Sequence, residues 1–284
     1  MSTAADRLVI SRLINRFGFG PKPGEYAALL ALGVDGARKK IMTPLAVDPG
    51  LAKLANPVLT DLGPFPTPNS AGVVAFSTSR RKQLLDTTMW WLDRMVLADN
   101  ALTERATWFW HGHWATSMSK VDYANAMLIQ NQLLRETAVG NFADQAKRMV
   151  VDGALQYWLD NNSNTVKAPN ENLARELMEL FTLGVNRYTE NDIKQVAKAL
   201  TGYSLDRESS VVTFNPKRHD NSTLNILGRS GTFDANSLTE FLVSRDDCQK
   251  FIAERLWFRF INDATEPTDD LIKNAFSNRE ILPT

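Results

Sequence analysis

Apolar residues recur along most of the chain at spacings of three and four positions, while alternating runs are rare. This spacing is typical of amphipathic helices, because 3.6 residues make one helical turn. It predicts helices near residues 3–16, 24–42, 79–98, 101–115, 119–138, 141–152, 170–184, 189–202, 235–244, 246–262 and 267–277. In the third of these helices the spacing predicts one buried apolar stripe, made of Leu85, Met89, Leu92 and Val96.

A convincing β pattern occurs only between residues 203 and 228. There the apolar run 211–214 can pair with 223–227, and the polar residues 216–220 lie in the loop between them. The predicted fold class is therefore mainly α, a multi-helix orthogonal bundle with one small β-hairpin near 203–228. We expect residues 1–284 to form a single helical domain, since one core can support a chain of this length.

The connection from residue 43 to residue 78 is rich in residues that interrupt helices and strands. It contains Pro44, Pro49, Pro57, Pro64, Pro66 and Pro68, together with Gly50, Gly63 and Gly72. This composition predicts a long irregular loop. Because such long loops inside a compact domain are usually functional or mobile, the loop is either a lid over a pocket or a mobile segment.

The composition is that of an ordinary globular protein, with 44% hydrophobic and 23% charged residues among 284. Lys plus Arg and Asp plus Glu both number 32, so the formal net charge is zero. Without an overall positive field to attract a phosphate backbone, we expect no nucleic-acid partner. The single cysteine, Cys248, excludes an internal disulfide and any metal site built from several cysteines.

Residues 1–15 are charged and amphipathic, and they lack the apolar core of a secretory signal peptide. No window of the sequence approaches about 18 uncharged apolar residues, which a membrane-spanning helix requires. The sequence as written therefore predicts a soluble, cytoplasmic protein with no membrane span.

Two of the three histidines, His111 and His113, lie in an aromatic helix end that reads WFWHGHW over residues 108–114. A buried imidazole needs a partner, which can be a carbonyl, a carboxylate or a metal. On a continuous helix the two rings point about 200° apart and cannot hold one ion together. If Gly112 ends the helix, they can. Helical geometry places His111 in the aromatic core and His113 nearer the helix end, so His113 is the better candidate ligand.

Residues 169–181 predict a helix with a polar strip directly beside its apolar face. Asn172, Glu176 and Glu179 form the strip, and Arg175 lies on the far side as an ion pair with Glu171. Two carboxylates three positions apart repel each other unless a cation, a shared proton or hydrogen-bond donors intervene. Helical bundles use this spacing for metal ligands, and a structural role for Glu179 is the alternative.

The third polar group is His219 with Asp220, in the loop of the predicted hairpin. A histidine beside an aspartate on a loop suits a general base or a metal ligand. The alternative is a turn that Asp220 stabilises, with His219 exposed.

These groups belong to longer motifs that resemble the bacterial domain-of-unknown-function family 1800. The motifs are RLINRFGFGP at 12–21, WHGHW at 110–114, NENLAREL at 170–177, LG at 183–184, YT at 188–189, ALTG at 199–202, HD at 219–220, LG at 227–228, and the stretch 251–260. The resemblance implies family membership and no mechanism. Family members are typically longer and often exported, so it also leaves open a missing C-terminal part of the site.

We therefore carry two main hypotheses. The first is a metal-assisted hydrolase whose pocket is covered by the loop 43–78 and whose divalent ion activates water. Its metal ligands are His111, His113, Glu179 and His219, and its catalytic groups are Glu176, Asp220, Arg175 and Asn172. The second is a non-catalytic helical scaffold or partner-binding protein in which the same side chains form a buried network. A metal-free acid–base enzyme is a third alternative.

Overall fold

The computed structural model describes residues 3–277, and most of them are helical. The helices are α1 (Ala4–Phe17), α2 (Glu25–Ala31), α3 (Gly33–Met42), α4 (Gly72–Leu97), α5 (Leu102–His113), α6 (Ala124–Glu136), α7 (Phe142–Met149), α8 (Gly153–Trp158), α9 (Asn172–Glu176), α10 (Glu190–Ala199), α11 (Ala235–Val243), α12 (Asp246–Leu256) and α13 (Asp269–Ser277). Helices α9 and α12 continue directly as π-helices, over Leu177–Thr182 and Trp257–Ile261. The predicted mainly α class is confirmed.

Polar residues at the helix starts explain where several helices begin. Thr3, Thr189 and Asp234 each form a capping box with the residue three positions later. The cap satisfies backbone N–H groups of the first turn, which have no partner inside the helix. The caps therefore determine where these helices begin. The helix starts predicted near residues 3, 189 and 235 are confirmed.

The predicted helix 24–42 is two helices in the structure. Helix α2 ends at Ala31 and α3 begins at Gly33, whose φ of 70° lies in the left-handed region that interrupts a helix. Helix α8 lies between the predicted helices 141–152 and 170–184 and was not predicted. It begins after Asp152, whose side chain accepts a hydrogen bond from the N–H of Leu155 at 3.0 Å.

Within residues 3–277 the strands form two small antiparallel hairpins. Strand β1 (Tyr203–Leu205) pairs with β2 (Val212–Phe214), and β3 (Leu224–Ile226) pairs with β4 (Arg229–Gly231). The predicted pairing of 211–214 with 223–227 is therefore wrong. The two-residue turn at Leu227 and Gly228, with φ values of 49° and 83°, has the backbone sign of a tight hairpin turn and gives β3 a nearer partner.

One large hydrophobic core joins α5 to α12, and a smaller cluster lies among α1, α2 and α3. The largest side chains with almost no exposure in the large core include Trp114, Phe181 and Leu177. Among residues 3–277, no helix is long and apolar enough to cross a membrane.

Helix α4 is rotated away from the orientation that its apolar spacing predicts. The predicted stripe is 46–70% exposed at each member, Leu85, Met89, Leu92 and Val96. Glu104 on α5 is 1% exposed and accepts hydrogen bonds of 2.7 Å from Arg94 on α4 and Arg135 on α6. A buried carboxylate must keep its cationic partners, so this contact sets which face of α4 packs inward. The predicted burial of the stripe is wrong.

The connection 43–78 is shorter than predicted, because α4 already begins at Gly72. Its first part is held in place by Asp48, whose side chain accepts hydrogen bonds from the N–H groups of Gly50, Asp99 and Asn100 at 2.8–2.9 Å. A Cβ on Gly50 would lie 2.1 Å from the carbonyl oxygen of Leu97. The start of the loop therefore packs closely against the junction of α4 and α5.

Asp152 is a buried carboxylate that hydrogen bonds to uncharged groups. Its Oδ1 accepts hydrogen bonds from the N–H of Leu155 and from Nε2 of Gln130, at 3.0 and 2.6 Å. Gln130 in turn accepts a hydrogen bond from the hydroxyl of Thr116 at 2.5 Å. Burial raises the pKa of Asp152 to about 6, although these hydrogen bonds act in the opposite direction.

We predict that Asp152→Asn changes how stability depends on pH. Because the pKa of Asp152 is raised in the folded state, the stability that this group contributes when protonated is lost as the pH rises from about 4 to about 6. The introduced amide would not ionise, so the free energy of unfolding of the variant relative to wild type should rise by about 3 kcal/mol over that window. Urea unfolding at four pH values between 4 and 7 measures this difference.

Asp234→Asn is the matched control, because Asp234 also caps a helix and has a lowered pKa. The free energy of unfolding of Asp234→Asn relative to wild type should fall, not rise, as the pH increases through the acidic range. Parallel pH profiles for wild type and Asp152→Asn would contradict the prediction.

Candidate functional site

The aromatic end of α5 is one continuous helix that runs through Gly112 to His113. The alternative in which Gly112 ends the helix is therefore not the one that the structure adopts. Since residues two apart on a helix point about 200° away from each other, His111 and His113 cannot hold one ion together.

His113 is the core histidine of the pair, with only 3% of its surface exposed. Its Nε2–H donates a hydrogen bond of 3.0 Å to the carbonyl oxygen of Phe181, in the π-helix that follows α9. Carbonyls in the last turn of a helix have no partner within the helix, so His113 satisfies one of them. Aromatic rings surround the imidazole at centroid distances of 5.3–6.4 Å: Phe109, Trp110, Trp114, Phe142, Phe181 and Phe251.

The second ring nitrogen of His113, Nδ1, is buried and has no hydrogen-bond partner among the described residues. Burial, together with the nearby positive charge of Arg255, lowers the pKa of His113 to about 3. The ring is therefore neutral at physiological pH. With its proton on Nε2, it leaves Nδ1 as an unused hydrogen-bond acceptor.

His111 is only partly buried, and its ring lies edge-on to Trp91 at a centroid distance of 5.1 Å. Partial burial lowers its pKa. The prediction that His111 rather than His113 points into the aromatic core is wrong. The reason is that the core lies on the side of α5 facing α7 and the π-helix, where His113 meets Phe142 and Phe181.

Both histidines line a cavity of about 600 Å³ between the end of α5 and helix α12 with its π-helix. The lining residues are Trp108, Phe109, His111, Gly112, His113, Phe251, Glu254, Arg255, Phe258 and Arg259. No residue of the loop 43–78 is among them, so the expected lid does not border this cavity.

The polar residues around Glu176, which are Asn172, Arg175 and Glu179, do not line this cavity. We call these four residues the Glu176 group. The hydroxyl of Tyr188 donates a hydrogen bond to Glu179, and burial with the adjacent charge of Glu179 raises the pKa of Glu176. Arg175 binds Glu190 with two hydrogen bonds of 2.8 Å and lies 3.5 Å from Glu171, which confirms the predicted ion pair.

Asn172, the remaining predicted site residue of this helix, is exposed. Its backbone N–H donates a hydrogen bond to the side-chain oxygen of Asn170. The polar strip predicted from helical spacing therefore borders solvent and Tyr188. Neither the three residues of the strip nor Arg175 is among the residues that line the cavity.

His219 is buried, in contrast to the exposed position of the turn interpretation. Its Nδ1 lies 3.0 Å from the carbonyl oxygen of Thr201, and its ring packs on Phe214 at 5.2 Å. Asp220 stabilises a turn as expected, because it accepts hydrogen bonds from the N–H and hydroxyl of Ser222. Burial alone would raise the pKa of Asp220, but the hydrogen bonds from Ser222 and nearby positive charges lower it.

The three groups are not brought together into one site. Among residues 3–277, no hydrogen bond or ion pair joins the polar side chains of these three groups to one another, and His113 reaches the segment 169–181 through the backbone carbonyl of Phe181. The same part of the chain contains no cluster of three or more His, Cys, Asp or Glu side chains that could hold a metal ion. The expected ligand set of His111, His113, Glu179 and His219 is therefore not assembled.

Sequence reasoning missed the other wall of the cavity. This wall is made of five residues for which the sequence predicts only a helix and membership of the motif stretch 251–260: Phe251, Glu254, Arg255, Phe258 and Arg259. The available signal was the presence of two arginines four positions apart beside aromatic residues. On a helix such residues share a face, which makes one aromatic and cationic surface.

We predict unequal costs for removing the two imidazoles. His113→Ala should lower the free energy of unfolding by about 2 kcal/mol or more, through a cavity and an unsatisfied carbonyl. His111→Ala should cost less than about 1 kcal/mol, because the ring is partly exposed. Urea unfolding at pH 7 measures both values, and equal costs would contradict the assignment.

The cost of His113→Ala should also depend on pH. The lowered pKa of His113 stabilises the folded protein above about pH 6.5, and this contribution is lost as the pH falls towards 3. The deficit of the variant should therefore shrink between pH 6.5 and pH 4, while that of His111→Ala should change less.

The motifs that resemble a known family are part of a longer match to that family, which covers nearly the whole chain. No curated protein and no solved structure gives a significant match. The model of the family described as "Protein of unknown function (DUF1800)" matches residues 12–278, which include all three polar groups and the cavity. The chain therefore belongs to the DUF1800 family.

Proposed function

We propose that this protein binds a small organic molecule in the cavity between α5 and α12. The observation that carries the proposal is the buried Nδ1 of His113, an acceptor without a partner among residues 3–277, in a residue that lines the cavity. Buried polar atoms are nearly always hydrogen-bonded, so an unused acceptor within a residue of the cavity wall favours a ligand that brings a donor to that ring. The volume of about 600 Å³ is typical of small-molecule sites.

The aromatic wall supports the same proposal. Trp108 and Phe258 line the cavity and keep 40% and 63% of their surface exposed. Exposed aromatic rings grouped at a concave site favour an apolar or aromatic ligand, because binding removes their surface from water. The expected ligand therefore combines a ring system with a hydroxyl or N–H group that donates to His113.

A metal-assisted hydrolase, the other function proposed from the sequence, has less support. Glu176 and Asp220, its expected catalytic carboxylates, do not line the cavity. A divalent metal would need several ligands close together, and the described residues contain no such cluster of His, Cys, Asp or Glu side chains. Of the described lining residues, Glu254 alone carries a carboxylate. The interactions of His219 and Asp220 support a structural role for both, as the scaffold alternative holds.

Gly112 allows a direct test, because a Cβ built there meets no atom within 4 Å and the residue lines the cavity. Gly112→Phe should fill the cavity from this position and lower the affinity for 2-naphthylmethanol by at least about tenfold, or about 1.4 kcal/mol. This probe has a ring system for the aromatic wall and a hydroxyl for His113. Isothermal titration calorimetry measures the affinity.

Gly112→Ala is the matched control, since it adds only the Cβ. It should keep the affinity within about twofold and stabilise α5 by up to about 1 kcal/mol, because alanine favours helix more than glycine does. Thermal unfolding checks that both variants fold. Equal binding by wild type and a folded Gly112→Phe would overturn the proposal, and a divalent metal lost on Glu176→Gln would favour the hydrolase.

A further inference from the structure

Two arginines in the cavity wall have no hydrogen-bond acceptor among the described residues. Arg255 and Arg259 both line the cavity, and across residues 3–277 neither guanidinium donates a hydrogen bond to another residue or lies within 4.0 Å of a carboxylate. Each guanidinium carries five N–H donors in a planar fork, which fits a carboxylate or a phosphate.

Aromatic rings hold these guanidinium groups in place. The Arg255 guanidinium lies 5.3 Å from the centre of the Phe251 ring, and that of Arg259 lies 4.4 Å from the Trp108 ring. A guanidinium that stacks on a ring through its face leaves the N–H groups at its edge available. The stacking therefore positions the donors without using them.

A third arginine, which does not line the cavity, adds positive charge beside it through its contact with Trp108. The Arg105 guanidinium lies 4.8 Å from the Trp108 ring, and in the described part of the chain it has no carboxylate within 4.0 Å. Burial and the nearby charge of Arg259 lower the pKa of Arg105, so the two cations repel each other. A bound anion would relieve this repulsion.

The only negative charge among the described lining residues does not balance these cations. Glu254 lies 3.9 Å from Lys250, one turn earlier on α12, and the two histidines of the wall have lowered pKa values that keep them neutral. The cavity therefore has an excess of positive charge beside an aromatic wall.

We infer that the ligand of this cavity is an anion with an aromatic or apolar body, whose carboxylate, sulfonate or phosphate group binds between Arg255 and Arg259. The inference rests on the proposed binding function and adds the chemical class of the ligand. The ring body contacts Trp108 and Phe258, and the anionic group accepts hydrogen bonds from the two guanidinium groups. A separate hydroxyl or N–H group on the same ring body is the donor to His113.

Three probes with one ring system separate this inference from the proposed function. They are 2-naphthoate, 2-naphthylmethanol and 2-naphthylmethylamine, which are negative, neutral and positive at pH 7. Wild-type protein should bind 2-naphthoate at least about tenfold more tightly than the alcohol, and the amine most weakly. Calorimetry at low salt measures the three affinities, because salt screens exposed charges.

The double variant Arg255→Gln/Arg259→Gln tests the two residues. It should lower the affinity for 2-naphthoate by at least about tenfold and that for the alcohol by less than about twofold. Arg229→Gln is the matched control: Arg229 stacks on Phe241 at 5.0 Å, forms no ion pair with the described residues and does not line the cavity. It should change neither affinity.

The outcomes are distinguishable. Equal affinity of wild type for all three probes, each blocked by Gly112→Phe, would overturn the anionic class and keep the binding function. An unchanged 2-naphthoate affinity in the double variant would also overturn the inference. Failure of all three probes to bind would overturn both.

Discussion

The structure depends on satisfying the polar atoms that α5 carries into an aromatic core. The indole N–H of Trp110 donates to the carbonyl oxygen of Ala138, and that of Trp114 donates to Gln145, at 2.8 and 3.2 Å. His113 donates to Phe181. Each partner lies on a different segment, after α6, in α7 and in the π-helix after α9. Because a buried donor without an acceptor is costly, these three bonds fix how the central helices meet.

The same requirement explains why a candidate site exists at this helix end. His113 uses one nitrogen for the fold, and its other nitrogen has no partner among the described residues. Charged groups cannot enter the apolar core unpaired, so Arg255 and Arg259 lie at the cavity wall, where aromatic rings contact them. One element thus supplies both the anchor of the core and a wall of the proposed binding site.

Buried charge acts in a similar way on α4. Its apolar spacing alone would turn Leu85 and Met89 inward, but Glu104 requires Arg94 and Arg135 beside it. Keeping that carboxylate paired outweighs the burial of a few aliphatic side chains, because a lone buried charge costs more than an exposed methyl group. The orientation of a helix therefore follows its most demanding contact.

The sequence by itself determined the mainly α class, most helix positions and the family, because helical spacing and caps are local and the motifs cover nearly the whole chain. It also located the aromatic motif around His111 and His113. Only the tertiary structure decided that α5 continues through Gly112, that His113 is the buried ring, and that Arg255 and Arg259 face it across a cavity. The physical reason is distance along the chain: hydrogen-bond partners such as Phe181 and Ala138 lie far from α5 in sequence, and local spacing contains no information about which of them will meet it.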